Sequence, residues 1–240
     1  VEAPYIDSVL KEWKSYSNVL PQNFMLSELH LGGGTPTFFS AHELKRLVST
    51  LLENAIPVGE GWSVEVHPSH TTREQLETLY ELGFRRISIG VQSFNKRVQF
   101  LINRIQPFEV VKEINDAARS IGFTSVNMDI LYGLPQQGVD DALADIDIIA
   151  ELRPDRIAYY GYAHVPWKAA GQRRYSEAEL PTTKDRILSA ELGREKLLNM
   201  GYRPIGMDHY ALPQDALSQA FESGKLYRNF MGYTEQHTDV

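Results

Sequence analysis

Apolar residues follow two alternating rhythms along this chain. Short runs rich in Val, Ile, Phe and Tyr read as strands over 28–31, 62–66, 86–91, 126–131, 156–160 and 204–207. Between them, apolar positions spaced three and four apart predict helices over 3–17, 40–54, 71–82, 107–121, 138–152 and 183–200, with a further one at 211–223. Val110, Val111, Ile114, Ala118 and Ile121 share one helical face, and Ile187, Leu188, Ala190 and Leu192 follow a similar but looser pattern. One unit recurs at the helix ends: Glu81-Leu82-Gly83-Phe84, Ser120-Ile121-Gly122-Phe123 and Asn199-Met200-Gly201-Tyr202. In each, the helix is expected to stop on a glycine in the left-handed C-cap conformation, after which an aromatic residue leads into a strand.

Strands that alternate with helices of crossover length predict a parallel α/β sheet. No linker, low-complexity run or charge block divides the pattern, so residues 1–240 read as one domain. The polar residues then choose between architectures. Strand after strand ends in them: Gly32-Gly33-Gly34-Thr35, Glu65 with His67-Pro68, Gln92-Ser93, Asp129 with Tyr132-Gly133-Leu134-Pro135, Tyr162-Ala163-His164, and Asp208-His209. A doubly wound sheet gathers such chemistry at one switch point, whereas a (β/α) barrel presents it at the carboxyl end of every strand. The expectation is a partial parallel (β/α) barrel. Taken alone, Gly32-Gly33-Gly34 reads as a flexible loop; set among these strand ends, it reads as backbone placed to approach a ligand closely.

Composition narrows the partners. The 240 residues are 42% hydrophobic and 23% charged, enough to build a globular core. A net charge of −7 argues against nucleic acid as the main partner. The apolar runs fall short of a membrane span and no signal-peptide pattern opens the chain, which predicts a soluble, cytoplasmic protein with no membrane partner. There is no cysteine, hence no disulfide, thiolate metal site or cysteine nucleophile in these residues. The chain starts at Val1 without a Met and its residues 235–240 carry no terminating signal, so a fragment truncated at both ends is expected.

Glu65 and Asp129 sit inside apolar strands, where a lone carboxylate is costly to bury. Two readings stay open for each: a ligand-binding group, or an ion pair with Arg86 or Arg104. Gln92 closes a strand, either as a ligand group or as a satisfied amide. The seven histidines show no HExxH spacing, and GxxxxGK[ST], GxGxxG and GxSxG are all absent.

The ordered motifs resemble the radical S-adenosylmethionine (SAM) enzymes, and within them the oxygen-independent coproporphyrinogen III oxidases. The resemblance runs through Leu29-His30-Leu31-Gly32-Gly33-Gly34-Thr35-Pro36-Thr37, Val64-Glu65-Val66-His67-Pro68, Ser88-Ile89-Gly90-Val91-Gln92-Ser93-Phe94, Asn103-Arg104 and Met128-Asp129-Ile130-Leu131-Tyr132-Gly133-Leu134-Pro135. More particular to the oxidases are Tyr162-Ala163-His164-Val165-Pro166, Gln172-Arg173, Gly206-Met207-Asp208-His209-Tyr210-Ala211 and Arg228-Asn229-Phe230-Met231-Gly232-Tyr233-Thr234. In that family a CxxxCxxC loop holds a [4Fe–4S] cluster. The resemblance implies that this loop lies upstream of Val1, and that further sequence follows Thr238-Asp239. It implies a radical SAM barrel of about six βα units.

The same resemblance implies an activity: oxidative decarboxylation of two propionates of coproporphyrinogen III to vinyl groups, giving protoporphyrinogen IX in haem biosynthesis, with a 5′-deoxyadenosyl radical from SAM. A monomer is implied, served by a flavodoxin or ferredoxin as electron donor. Two SAM molecules are implied: Gly33 and Glu65 match contacts to the first, and Gly34, Thr35, Gln92, Arg104, Asp129 and Ala163 match contacts to the second. No metal ligand and no catalytic side chain is assigned within these residues. Arg173, Arg174, His164 and His209 are candidates for the substrate carboxylates. The principal alternative is a related chaperone that binds and transfers haem without oxidising a porphyrinogen; a haem-utilising homologue that opens the ring and a phosphate-binding barrel enzyme are weaker ones.

Overall fold

The computed structural model describes residues 2–59, 61–229 and 232–235. In chain order come α1 (Glu2–Ser17), β1 (Phe24–Leu26), β2 (His30–Leu31), α2 (Ala41–Leu51), β3 (Ala55–Pro57), β4 (Trp62–Val66), α3 (Arg73–Glu81), β5 (Phe84–Gln92), α4 (Lys96–Leu101) and α5 (Phe108–Ile121). They continue with β6 (Ser125–Tyr132), α6 (Val139–Leu152), β7 (Arg156–Gly161), α7 (Thr183–Asn199), β8 (Arg203–Gly206), β9 (His209–Ala211), α8 (Ala216–Glu222), β10 (Tyr227–Asn229) and β11 (Gly232–Thr234). Phe230, Met231, Thr238 and Asp239, which carry part of the sequence resemblance, lie outside the described residues.

Local chemistry sets the helix boundaries. Ser40 Oγ accepts from Glu43 N to open α2, Thr72 and Gln75 form a capping box on α3, and Asn95 Oδ1 accepts from Arg97 N and Val98 N to open α4. Asn95 explains a helix that apolar spacing did not predict. Asp215 caps α8, which confines the helix expected over 211–223 to its second half. The three predicted glycine stops adopt positive φ: Gly83 at 108°, Gly122 at 114° and Gly201 at 90°.

Strands β2, β4, β5, β6 and β7 are parallel neighbours in a seven-stranded sheet of order β2-β4-β5-β6-β7-β9-β8. The all-parallel expectation fails at one edge: β9 pairs antiparallel with β7, and β8 pairs antiparallel with β9. The chain reverses sharply through Gly206 (φ 149°) and Met207 (φ 49°), so the returning strand takes the place beside β7.

Period-two alternation then separates two faces. Val64, Val66, Ile87, Ile89, Val126, Met128, Ile130 and Ile157 form one core with Leu44 and Val48 of α2, Leu76 and Leu79 of α3, Ile114 of α5 and Ile146 of α6. The intervening positions Ser63, Glu65, Ser88, Asn127, Asp129, Arg156 and Tyr160 fall on the opposite face. That face curves around an interior: His30, Ser63, Ser88, Asn127, Arg156 and His209, from strands spread across the sheet, line a single cavity of about 150 Å³. The β10–β11 hairpin closes it through Tyr233. Arg86 pairs there with Glu28 at 3.0 Å and with Glu235, and Arg156 Nε donates to Asp215 at 2.8 Å.

Candidate active site

The glycine turn leaves β2 beside His30, which lines both this cavity and a second one of about 560 Å³ bounded by the turn, Tyr5, Leu44 and Leu47, and two neighbours shape the turn. α3 grips it from outside, where Gln75 Nε2 donates to the carbonyls of Thr37 (2.9 Å) and Phe39 (2.7 Å). Inside, a Cβ on Gly32 would lie 2.5 Å from His30 Nε2 and 2.9 Å from Glu65 Cδ, so a side chain here would displace the His30–Glu65 pair. Gly33 has φ 78°, and its N–H donates to Glu65. Around Gly33 and Gly34 no heavy atom of the described residues lies within 4 Å of an added Cβ, which leaves their outer side open to a bound molecule.

Glu65 is held from both ends. His30 Nε2 stands 3.5 Å from its carboxylate while His30 Nδ1 lies 2.8 Å from Ser63 Oγ. The hydrogen bond from His30 outweighs partial burial and keeps the Glu65 carboxyl below its ordinary value. Asp129 behaves oppositely. Ser88 Oγ donates to it at 3.0 Å and Asn127 Nδ2 at 2.7 Å, yet burial dominates and pushes its carboxyl up to about 6, with the Glu65 charge adding to the rise and Arg104 opposing it.

Arg104 reaches the same interior from beyond α4. Its Nη2 donates to Gly90 O at 2.7 Å and its Nε to Gln106 Oε1 at 3.2 Å. A Cβ on Gly90 would lie 2.6 Å from Nη2, so the glycine makes room for the guanidinium. Where β5 pairs with β6 the register shifts between Gly90 and Gln92, and Gln92 takes φ 69°. Gln92 still pairs with Ile130 across this bulge, and its Nε2 stands beside Arg104 Nη2, 3.1 and 2.6 Å from where a Gly90 Cβ would lie. His67, at the end of β4, is lowered to about 4 by burial, Arg104 and His70, and is therefore neutral at pH 7.

Glu65 acts on Asp129 through its charge, as does Arg104, while Gly33 reaches Glu65 and Gln92 lies beside Arg104, so these five residues from the turn after β2, from β4, β5 and β6, and from the loop after α4 come together, and Gly34 and Thr35 continue the glycine turn. Ala163 stands exposed beyond β7, its carbonyl accepting from Gln172 Nε2 at 3.1 Å. The open ion-pair reading of the carboxylates resolves by partner: Arg86 is engaged by Glu28 and Glu235 and not by Glu65, while Arg104 acts on Asp129 through its charge. The four substrate candidates separate. His164 packs with Tyr162 and Tyr175, Arg173 donates to Pro166 O, Arg174 is exposed, and His209 lies deep on the inner face, 3.0 Å from the Tyr160 hydroxyl.

Sequence reasoning assigned no role to His30, Ser88, Asn127 or Tyr160, although the alternation within each strand puts them on the face of Glu65 and Asp129. Among the described residues no group of three or more His, Cys, Asp or Glu could hold a metal ion. With no cysteine in the sequence, this chain supplies no ligand set for an iron–sulfur cluster.

The Radical SAM superfamily model matches residues 10–149. An oxygen-independent coproporphyrinogen III oxidase of Pseudomonas aeruginosa is 39% identical over 242 residues, covering 99% of this chain and 53% of that protein. The protein of the same name from Paracoccus denitrificans is 42% identical over 238 residues, covering 98% and 52%. Among solved structures, the coproporphyrinogen III oxidase HemN from Escherichia coli, a radical SAM enzyme, superposes with a TM-score of 0.93 at 39% identity, over 98% of this chain and 54% of that one. The chain spans about half the length of these relatives.

Proposed function

This chain belongs to the radical SAM superfamily, and from that premise we propose that residues 1–240 are one barrel core of an oxygen-independent coproporphyrinogen III oxidase. The whole protein would convert two propionates of coproporphyrinogen III to vinyl groups, releasing CO₂ and giving protoporphyrinogen IX. The observation that carries the reading is the glycine turn: open on its outer side and closed on its inner side by a carboxylate that Gly33 N–H and His30 hold ionised.

That arrangement fits SAM. Glu65 accepts from an ammonium lying along the Gly33–Gly34 backbone, and the N–H groups of Arg104 not spent on Gly90 and Gln106 are suited to a carboxylate. Asp129 accepts from ribose hydroxyls or from a second ammonium. Gly33 and Glu65 serve the first SAM; Gly34, Thr35, Gln92, Arg104, Asp129 and Ala163 serve the second. When bound and given one electron, SAM would supply a 5′-deoxyadenosyl radical for hydrogen abstraction from a propionate, and loss of CO₂ would pass one further electron from the substrate to an acceptor outside these residues, leaving the vinyl group. The chain's own task is to orient and to exclude water, and the apolar layer behind Glu65 and Asp129 suits it to that. The [4Fe–4S] cluster finds no cysteine ligands in these residues.

A flavodoxin or ferredoxin as electron donor, a monomeric state and a cytoplasmic location complete the proposal. Among the described residues no helix is long and apolar enough to cross a membrane. The test uses the full native protein, reconstituted anaerobically with iron and sulfide and supplied with SAM, reductant and coproporphyrinogen III. Protoporphyrinogen IX is expected; tight haem binding with no decarboxylation would move the assignment to a haem chaperone.

A further inference from the structure

Asp145 stands on the buried face of α6, in register with Ala142, Ile146 and Ile149, and only 2% of it is exposed. A carboxylate in that setting needs partners, and it has three. Ser93 Oγ (2.7 Å) and Gln137 Nε2 (3.1 Å) donate to its Oδ2, and the Phe94 N–H (2.7 Å) donates to its Oδ1. Ser93 and Phe94 are the two residues after Gln92. Gln137 belongs to the exit of β6, where its amide also donates to Leu131 O (3.1 Å) and accepts from Leu134 N (3.1 Å).

The turn is tied a second time from the side of α4. Gln99 Nε2 donates to the carbonyls of Ser93 and Gln106, both at 2.9 Å, and Gln106 Nε2 donates to Gly90 O (3.1 Å) and to Val91 O. Between these ties sits Gln92, at a φ of 69° that a residue with a side chain adopts only when its surroundings impose it.

We propose that Asp145 is a positioning residue for the SAM site: from the outer helix layer it locks the turn after β5 to the exit of β6, and so holds Gln92 in its left-handed conformation beside Arg104. The inference rests on the reading of Gln92 as a SAM contact. Geometry explains why a carboxylate stands here. All three neighbours are donors, and a group that only accepts satisfies them together, whereas an amide would turn an N–H toward a donor. Burial pushes the Asp145 carboxyl up to about 6, so at pH 7 the fold carries an ionised group at a cost, as expected where a site and not packing sets the residue.

The test measures SAM affinity by anaerobic equilibrium dialysis on the full native protein carrying D145N, Q92A or both, with hydrogen exchange of the 93–95 amides as a second reading. D145N is expected to weaken SAM binding about tenfold, the effect of one buried hydrogen bond, and to speed exchange at 93–95. In the Q92A background D145N should change affinity less than about twofold, because a residue that acts through Gln92 has nothing left to position. Effects that multiply, or a folded D145N with wild-type affinity beside a weakened Q92A, would overturn the positioning role alone. Wild-type affinity in Q92A would overturn the assignment of Gln92 and the role with it. Should D145N fail to fold, S93A keeps the carboxylate and removes one donor; it should show the same dependence on Gln92 at about threefold.

Discussion

Glu65 on β4 and Asp129 on β6 face one interior with β5 between them, and the charge of Glu65 makes Asp129 hold its proton more tightly. Their partners decide which of the two stays ionised. Glu65 has an imidazole and a backbone amide, which favour its charge; Asp129 has a hydroxyl and a side-chain amide, which do not fully offset its burial. Two like groups in one site with opposite shifts divide the work: one is a fixed anion, the other responds to its surroundings.

Glu65→Gln keeps the shape and removes the anion. The glutamine still accepts from Gly33 N–H, so the turn should survive, and the melting temperature should move by no more than a few degrees. SAM affinity should fall about tenfold or more, since a charge-assisted bond to an ammonium is lost. Titration of the full protein with SAM checks it, and unchanged affinity would remove Glu65 from the site.

For Asp129 the sign runs the other way. Its folded value of about 6 lies above the ordinary 3.8, so the folded state binds the extra proton and gains stability as pH falls from about 6 toward 4. At pH 7 the ionised carboxylate is a net cost. Asp129→Asn is therefore expected to stabilise the protein at pH 7 by about 2 kcal/mol, with the gain shrinking as pH falls through 6 and gone below about 3.5. Denaturant unfolding at pH 7 and pH 5 gives the two values. A variant less stable than wild type at pH 7 would show that the Ser88 and Asn127 hydrogen bonds outweigh burial.

The strands and most helices were legible because each buries one face, and burial imposes a rhythm on the sequence. Glu65 and Asp129 stood out for the same reason, as polar residues inside apolar runs. Their partners did not stand out: His30 and Ser63 are polar residues near a strand end, and nothing in a linear reading brings residue 30 to residue 65 before the register of β2 on β4 is known. Asp145 was hidden more deeply. On a helix an acidic residue is usually solvated, and only its spacing from Ala142 and Ile149 hints that this one faces inward. The antiparallel edge was missed because β9 has three residues, too few to show a period.

The three glycines after β2 separate into a structural one and two open ones. Gly32→Ala would drive its methyl into His30 and Glu65, so it should cost about 2 kcal/mol and release the His30–Glu65 pair. Gly34→Ala meets nothing within 4 Å among the described residues and should leave stability within about 0.5 kcal/mol of wild type while weakening SAM binding, because the methyl occupies the approach to the backbone. Thermal unfolding with and without SAM distinguishes them. Equal destabilisation by both would contradict the geometry of the turn.

The helix-stopping glycines allow a sharper comparison, since Gly122 and Gly201 carry the same backbone demand in different surroundings. Both take positive φ, 114° and 90°, and both close their helices through bonds to carbonyls one turn back, Gly122 N to Ala118 O and Gly201 N to Leu198 O. An alanine at either position must accept a left-handed conformation, at about 1 kcal/mol. At Gly201 the cost should end there, because an added methyl meets no described residue within 4 Å. At Gly122 the methyl would stand 2.9 Å from the Tyr80 hydroxyl, and that ring is not free to withdraw: it packs on Phe123 with centroids 5.7 Å apart and carries the Arg85 guanidinium 3.9 Å from its centre. Gly122→Ala should therefore destabilise by about 2–3 kcal/mol against about 1 for Gly201→Ala, measured by denaturant unfolding of each variant. Tyr80→Phe in the Gly122→Ala background should recover part of the difference by removing the oxygen the methyl meets. If the two glycine variants lose equal stability, backbone conformation alone sets the cost and Tyr80 yields more readily than its packing implies.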